Sequence, residues 1–182
     1  MMKEFIVKVE AVLSAQSDTN FVTSRQPNIE VTYGGIPGDL HFGLTRLAGS
    51  REKMYKRGTE IFNRRQLTLV SIEECEEVAR KLGIPHVLPE WLGANILVSG
   101  YPEITTIPVG SRFLSSNGVG LYNEGENEPC IGPGEIIAAQ YPEFEKLAPR
   151  FVKAAYKSRG IICSVEVPGN ISVGEELRLI LA

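Results

Sequence analysis

The sequence contains no apolar run long enough to cross a membrane. Hydrophobic residues make up 43% of its 182 positions, but no run approaches the roughly 18 apolar residues that a membrane helix requires. Lys3 and Glu4 stand where a signal peptide would continue toward its apolar region. These absences exclude a membrane protein and predict a cytoplasmic one.

Cysteine is scarce, and its spacing matches no common framework. Cys75, Cys130 and Cys163 form an odd set without any CxxC pair. This count argues against both a disulfide scaffold and a zinc knuckle. We therefore expect three reduced thiols.

Two phosphate-binding fingerprints are also missing. Neither GxxxxGK(S/T) nor GxGxxG is present, which excludes a P-loop and a dinucleotide-binding turn. The formal net charge of −3 gives no overall attraction to nucleic acid, and no nucleic-acid module is recognisable. We do not expect nucleic acid as a partner.

What basic charge there is concentrates in residues 46–65. Against Glu52 and Glu60 this stretch holds seven basic side chains: Arg46, Arg51, Lys53, Lys56, Arg57, Arg64 and Arg65. A solvated face is the simplest interpretation. The alternatives are an electropositive rim for a ligand that carries phosphate and, as the third choice, an RNA-binding surface.

Short strands with glycine turns dominate the remaining pattern. Residues 5–13 alternate with period two, which predicts an opening strand. Further strands are predicted at 29–33, before 71, and at 95–98, 104–107, 111–114, 119–122, 161–167 and 177–181. Many short strands with a few inserted helices predict a mainly β protein, a closed or nearly closed β-barrel, in a single domain over residues 1–182.

Two helices are predicted, with a short helical turn at residues 142–147 as a third, and the first has clear end signals. Ser71 and Glu74 form a capping box, residues 72–82 carry an apolar face that includes Cys75, and Gly83 ends the helix. The second is predicted to begin near Pro149 and to end at Arg159. Cys75 on the apolar helix face and Cys163 in an apolar strand are expected to be buried and unreactive.

Cys130 lies in a different setting, between prolines and glycines. Pro129, Gly132, Pro133 and Gly134 surround it, and we predict that residues 123–134 form a rigid turn rather than a regular helix. A thiol presented by such a turn can meet a ligand. The alternative is a small buried hydrophobic side chain, which is how free cysteine usually behaves.

A second glycine-rich turn spans residues 34–43. It contains four glycines and a proline, and it carries Asp39 and His41. Its backbone can form an anion-binding nest. The simpler interpretation is that Asp39 and His41 brace the loop through hydrogen bonds and do not bind metal.

Taken in order, these motifs resemble the MOSC domain family, named for the C-terminal domain of molybdenum cofactor sulfurase. The matching segments are 35–43, Arg65-Gln66-Leu67, Gly93-Ala94-Asn95-Ile96, Val109-Gly110, Pro129-Cys130, Arg159-Gly160-Ile161 and 169–174. The resemblance implies a strand-rich barrel and a cysteine, matched here by Cys130, that binds sulfur or molybdenum. It also makes candidate ligand-binding residues of Asp39, His41, Gly43, Arg65, Gln66 and Asn95.

The resemblance implies two activities. The first is a stand-alone sulfur carrier or molybdenum cofactor (molybdopterin) protein for metal-sulfur cluster or cofactor biosynthesis. The second is a molybdenum-dependent reductase of N-hydroxylated compounds, so the enzyme class is either a sulfur transferase or an oxidoreductase. A non-catalytic binding module is the third possibility. Expected partners are a pyridoxal-phosphate cysteine desulfurase or an electron-donor protein, together with a small-molecule ligand.

The acidic residues around Cys130 require a compensating cation. Glu124, Glu126 and Glu128 oppose ionisation of a nearby thiol, whereas a thiolate is the form that attacks sulfur or binds metal. Arg65 is our first candidate for the cation, with Arg46 and Arg64 as alternatives. We therefore expect Asp39, His41, Arg65 and Cys130 to converge on one pocket.

Overall fold

The structure, a computed structural model, describes residues 3–15 and 20–182. Twelve strands form in these residues: β1 (Glu4–Ser14), β2 (Ser24–Gln26), β3 (Asn28–Val31), β4 (Thr45–Leu47), β5 (Glu60–Phe62), β6 (Leu67–Ser71), β7 (Ile96–Ser99), β8 (Arg112–Ser115), β9 (Gly120–Glu126), β10 (Ile161–Val167), β11 (Gly169–Ser172) and β12 (Glu176–Ile180). Three α-helices accompany them: α1 (Ile72–Leu82), α2 (Ile131–Gln140) and α3 (Leu147–Ala154).

Seven of the strands close into a barrel, which confirms the predicted fold class. They follow the order β12-β8-β9-β10-β6-β7-β1, and β1 pairs with β12 to complete the ring. All neighbours are antiparallel except β6 and β7, which are joined through α1 and lie parallel. The strand β2 extends β1 outside the ring, while β3–β11 and β4–β5 form separate two-stranded pairs.

Two apolar cores hold these layers together. Alternate side chains of the barrel strands fill its interior, with Phe113, Leu121 and Leu179 among the fully buried ones. The second core lies between the outer barrel wall and the helices, where Leu82 and Phe151 are buried. Cys163 lies in the first core, in strand β10, and Cys75 lies in the second, on helix α1. Both settings are the ones that their sequence patterns predicted.

Helix α1 has the predicted ends, although only half of the capping box forms. The Ser71 hydroxyl accepts a hydrogen bond from the Glu74 amide at 3.2 Å, and Gly83 ends the helix at a φ of 74°. The Glu74 carboxylate does not return to Ser71. It accepts instead from the amide and hydroxyl of Thr105 at 2.8 and 2.7 Å. Thr105 lies in a short 3-10 helix, Ile104–Thr106. The prediction of a strand at residues 104–107 is therefore wrong.

The prediction that residues 123–134 contain no helix is wrong. Strand β9 runs to Glu126, a four-residue connection follows, and α2 begins directly after Cys130. Pro133 is tolerated because it lies in the first turn, where amides have no partner within the helix. Gly134 lets α2 pack directly on α3, since a Cβ there would lie 2.6 Å from the Ala148 carbonyl oxygen.

The other differences concern short or displaced elements. The helix predicted at 149–159 is α3, which begins at Leu147 and ends at Ala154. Strands β2, β4, β5 and β11 were not predicted as strands. No helix in the described ranges is long and apolar enough to span a bilayer.

Candidate functional site

A narrow cleft of about 100 Å³ opens beside Cys130, where the connection after β9 meets α2. Its walls come from widely separated parts of the chain. They are formed by Phe21, His41, Arg51, Arg65, Thr68, Leu92, Gly93, Asn127, Cys130, Pro133 and Arg159. The cleft thus joins one exposed thiol, one imidazole and three guanidinium groups.

Cys130 is the N-cap residue of α2 and is exposed to solvent. Its side chain makes no capping hydrogen bond, so the sulfur is not used to complete the helix. A helix N-terminus carries partial positive charge and favours an adjacent thiolate. The alternative interpretation of Cys130 as a buried packing side chain is wrong.

The other two cysteines are chemically quiet by comparison. Burial raises the pKa of the Cys75 thiol to about 12. It raises the pKa of the Cys163 thiol further still. Both side chains are therefore neutral thiols at physiological pH, and Cys130 is the exposed cysteine of the three.

Arg159 is the most unusual cation in the cleft. Its side chain is only 6% exposed, and its Nη2 donates to the Leu92 carbonyl oxygen at 2.6 Å. Its Nε and Nη1 have no hydrogen-bond partner among the described residues. Burial lowers the pKa of Arg159 to about 10, and charge on Cys130 opposes that shift. A buried, still protonated guanidinium with free donors indicates a site for an anion.

Arg65 and Arg51 hold the connection that leads to Cys130. The Nη2 of Arg65 donates to Asn127 Oδ1 at 2.9 Å, and the Nη1 of Arg51 donates to the Glu128 carbonyl oxygen at 3.3 Å. Burial, followed by the charges of Arg51 and Arg46, lowers the pKa of Arg65 to about 10. Arg65 therefore remains a cation at neutral pH. Asn127 secures the same connection through its backbone N–H, which donates to Gly160 O at 2.9 Å.

The other two candidate cations for Cys130 are used elsewhere. Arg64 forms an ion pair of 2.7 Å with Glu124, and Arg46 forms one of 2.6 Å with Glu52. Glu124 also accepts from the Ser164 hydroxyl at 2.7 Å. One of the three carboxylates expected to oppose the thiolate is thus paired with a cation.

Asp39 fixes the orientation of His41 by contacting its backbone amide and its Nδ1. Its Oδ1 accepts from the His41 amide at 2.9 Å and lies 3.3 Å from His41 Nδ1, while its Oδ2 accepts from the Ala15 amide at 2.7 Å. Burial opposes ionisation of Asp39, but the hydrogen bonds from His41 and Ala15 outweigh it and lower the Asp39 pKa. Because a carboxylate can only accept, this contact requires the hydrogen on Nδ1, which makes Nε2 the acceptor nitrogen of the neutral ring.

Three further candidate residues lie outside the wall of the cleft. Gln66 is fully buried, with its amide bonded to Tyr33 O at 2.9 Å and to the Val165 N–H at 3.0 Å. Asn95 bonds the Thr68 amide at 2.9 Å and Asp39 Oδ2 at 3.1 Å. Gly43 accepts from the Asn63 side chain at 2.9 Å. The structure thus brings His41, Arg65 and Cys130 together in the wall of the cleft. Asp39 lies outside this wall and contacts His41.

Sequence reasoning did not select Arg51, Asn127 or Arg159 for this site. Arg51 was one of seven basic residues in its stretch, with nothing local to distinguish it. Arg159 was expected at a helix end, where a basic side chain usually faces solvent and the helix dipole. The available signal was its position before Gly160, since a glycine can mark a close approach of two backbones. The structure shows such an approach, because a Cβ at Gly160 would lie 2.3 Å from the Leu69 carbonyl oxygen.

The basic stretch also borders two neighbouring depressions that share Arg65 with the cleft. One, of about 310 Å³, is lined by Arg46, Tyr55, Phe62, Arg64 and other residues of the same stretch. The second, of about 290 Å³, lies between His41 and Arg46. A ligand larger than the cleft can therefore extend along Arg65 without leaving the basic surface.

The described residues offer few ligands for a bare metal ion. Within residues 3–15 and 20–182, no three His, Cys, Asp or Glu side chains are grouped around one point. A metal bound by Cys130 must therefore obtain most of its ligands from a cofactor or a substrate. The cleft itself offers a ligand one thiol, one imidazole and three guanidinium groups.

The chain is similar to one family over most of its length. The MOSC domain model matches residues 37–178. YuaD of Bacillus subtilis (strain 168), whose name associates it with metal-sulfur cluster biosynthesis, is 52% identical over 179 residues, which cover 98% of this chain and 93% of that protein.

Solved structures show the same relationship. The crystal structure of YuaD from Bacillus subtilis superimposes with a TM-score of 0.97 at 52% identity, over all of both chains. YiiM from Geobacillus stearothermophilus gives a TM-score of 0.61 at 11% identity, covering 97% of this chain and 75% of that one. YiiM from Escherichia coli gives 0.60 at 17% identity, covering 99% and 71%. At these identities the two YiiM structures are similar to this chain in fold alone.

Proposed function

The chain belongs to the MOSC domain family, and from that premise we propose that it is a sulfur carrier or molybdenum cofactor-binding protein for metal-sulfur chemistry, acting through Cys130. One observation supports this function above the others. The exposed Cys130 thiol shares a cleft with Arg159, whose buried guanidinium has two nitrogens without a partner among the described residues. Such a site fits a ligand that is both anionic and reactive toward sulfur.

In the carrier reaction, the Cys130 thiolate attacks the outer sulfur of a donor persulfide. A new sulfur–sulfur bond forms to Cys130 while the bond within the donor breaks, and the electron pair leaves with the donor thiolate. Neither an external oxidant nor a reductant is consumed. The product persulfide carries negative charge on its outer sulfur, which Arg65 and Arg159 stabilise.

His41 supplies a proton acceptor for this step. His41 lines the same cleft as Cys130, and with Nδ1 bonded to Asp39 its Nε2 is the ring nitrogen available to accept the thiol proton before attack. The resulting imidazolium is stabilised by the Asp39 carboxylate. Asp39 is thus a positioning residue, because it acts only through His41.

The same residues fit a molybdenum cofactor. Cys130 would be its protein ligand, and Arg51, Arg65 and Arg159 would hold its phosphate, since guanidinium groups bind phosphate through paired donors. When bound, molybdenum supplies redox chemistry that no side chain of the cleft provides. This fit, together with the adjoining depressions along Arg65, favours the reductase of N-hydroxylated compounds as a second candidate function.

Two measurements on purified protein separate these candidates. Persulfide on Cys130, detected by mass spectrometry after incubation with a polysulfide and absent in Cys130→Ser, is expected of a carrier. Molybdenum in protein made by a host that synthesises the cofactor, lost in Cys130→Ser and retained in Cys75→Ala, is expected of a cofactor protein. If neither signal is found, the non-catalytic binding module is correct.

A further inference from the structure

The backbone next to Arg159 is held by a side-chain hydroxyl. Gly160, the following residue, has a φ of 84° and lies just before β10. Its N–H donates to the Thr105 hydroxyl at 2.7 Å. Because a peptide unit is planar, this N–H shares its plane with the Arg159 Cα. Thr105 thereby fixes the direction in which the Arg159 side chain leaves the backbone.

Thr105 is itself fixed from the interior by Glu74. Its amide and its hydroxyl donate to the two oxygens of the Glu74 carboxylate at 2.8 and 2.7 Å. Thr105 and Glu74 are 3% and 4% exposed, so water has little access to this contact. Since an ionised carboxylate can only accept, the hydroxyl hydrogen points to Glu74 and a lone pair is left for Gly160. Glu74 thus sets the rotation of the hydroxyl that receives the Gly160 N–H.

Both polar backbone groups of Gly160 connect to the cations of the cleft. Its N–H side adjoins Arg159, while its carbonyl oxygen accepts from the Asn127 N–H at 2.9 Å. Asn127 in turn accepts from Arg65 through Oδ1. The Gly160 backbone also packs against β6, where a Cβ would lie 2.3 Å from the Leu69 carbonyl oxygen. Gly160 therefore has little room to adopt another position.

The Arg159 side chain depends on this support because few contacts hold it. Among residues 3–15 and 20–182, Nη2 donates to Leu92 O, while Nε and Nη1 have no acceptor. A guanidinium held at one nitrogen keeps its aim only if its backbone is fixed. Hydrogen bonds weaken steeply with angle and distance, so a small shift of Arg159 reduces its attraction for an anion.

We propose that Thr105, anchored by Glu74, is a positioning residue for the Arg159 guanidinium and so sets how strongly the cleft attracts an anion. This inference rests on the proposed function, in which Arg159 stabilises an anionic ligand beside Cys130. In the described part of the chain, neither Thr105 nor Glu74 belongs to the wall of the cleft. Both therefore act on the ligand through Arg159.

The test is the rate of Cys130 alkylation by iodoacetate divided by its rate with iodoacetamide, measured on the full chain. Both reagents attack the same thiolate, so the ratio cancels changes in exposure and ionisation of the thiol and keeps the attraction for the carboxylate. Thr105→Val removes the acceptor of the Gly160 N–H at nearly constant shape, and Thr105→Ser retains it. Thr106→Val is the matched control, because Thr106 is exposed in the same 3-10 helix.

We expect Thr105→Val to lower the ratio about fivefold, the usual weight of one hydrogen bond. Thr105→Ser and Thr106→Val should stay within about twofold of the parent protein. Glu74→Met deprives Thr105 of its acceptor and should also lower the ratio, with Glu77→Met as its control in the same helix. Removal of a carboxylate by itself favours an anionic reagent, so a lower ratio in Glu74→Met cannot come from the change in charge.

A double variant shows whether the effect passes through Arg159. Thr105→Val should add nothing to Arg159→Met, because two changes along one route are not additive. A further fivefold decrease would contradict the inference. If Arg159→Met lowers the ratio and Thr105→Val does not, the positioning role alone is wrong. If Arg159→Met also leaves the ratio unchanged, the anion site of the proposed function fails, and the inference fails with it.

Discussion

At the scale of single residues, Arg159 has the clearest physical meaning. A guanidinium buried to this extent loses most of its hydration, and its hydrogen bond to Leu92 O recovers only part of that loss. An anion bound in the cleft would offset the remainder of this cost. Arg159 is therefore expected to act on the ligand as well as on the fold.

Replacement of Arg159 by Met should weaken the attraction of the cleft for anions. We expect Cys130 of Arg159→Met to react about tenfold more slowly with iodoacetate, roughly the 1.5 kcal/mol of one lost charged hydrogen bond. Its reaction with neutral iodoacetamide should change less. Arg150→Met serves as the control, since Arg150 is exposed on α3. Equal slowing with both reagents would contradict an anion site.

The three cysteines should react in an order set by their burial. We expect iodoacetamide at pH 7 to modify Cys130 first, because Cys75 and Cys163 are buried neutral thiols. Peptide mapping of partly alkylated protein gives the order. Comparable labelling of all three sites in folded protein would show that exposure does not control their reactivity.

At the scale of elements, the close contact of α2 and α3 depends on one glycine. A Cβ at Gly134 would lie 2.6 Å from Ala148 O and 2.8 Å from its Cα, both backbone atoms that cannot move independently. We expect Gly134→Ala to lower the free energy of unfolding by about 1–3 kcal/mol, the usual cost of overpacking. Urea unfolding followed by circular dichroism measures this change.

Gly132 in the same helix is the matched control. Among residues 3–15 and 20–182, a Cβ there would meet only the Phe21 ring at 3.4 Å, an ordinary contact distance. Because alanine favours a helix over glycine by up to about 1 kcal/mol, Gly132→Ala should leave stability equal or slightly higher. If both variants lose the same stability, the α2–α3 contact is not the cause.

The same elements show what the sequence could and could not predict. Helix α1 was predictable because its cap, apolar face and terminal glycine are all local signals. Helix α2 was not, because its glycines and Pro133 oppose a helix locally, and the packing on α3 that accounts for Gly134 is a tertiary contact. The β4–β5 hairpin was not predictable for another reason. Neither of its strands places a side chain in the core, so the sequence lacks the apolar alternation of a strand with one buried face.

The site residues also differ in whether a local sequence pattern predicts them. His41 and Cys130 lie in glycine and proline turns that stand out in the sequence, whereas Arg159 and Asn127 become site residues only through contacts across the barrel. The Arg159 side chain reaches Leu92, 67 positions away, and the Arg65 side chain reaches Asn127 across 62. Contacts of this range are set by the tertiary fold, and no local pattern encodes them.

At the scale of the whole molecule, buried Glu74 makes stability depend on pH. Burial raises the pKa of Glu74 to about 7, although its bonds from Thr105 oppose the shift. The folded state therefore holds this proton more tightly than the unfolded chain, whose Glu pKa is 4.5. The contribution of Glu74 to stability is greatest below pH 4.5 and is lost as pH rises toward 7.

Replacement of Glu74 by Gln should remove this dependence. We expect the stability of Glu74→Gln relative to the parent to improve by up to about 3 kcal/mol between pH 4.5 and 8, measured by urea unfolding across that range. Glu77→Gln is the control, because Glu77 is more exposed and its ion pairs with Arg80 and Lys81 lower its pKa. A constant difference across the range would show that Glu74 ionises normally.

Closure of the barrel by β1 and β12 has a consequence for folding kinetics. Glu4 lies opposite Ile180, so the last seam joins residues 176 positions apart in the chain. Contacts of such long sequence separation form slowly, because a large loop must close before they are gained. Until then both strands are unpaired edges that can pair with other chains. Refolding yield should therefore fall as protein concentration rises, and protein that misassembles should do so through strand exchange at this seam.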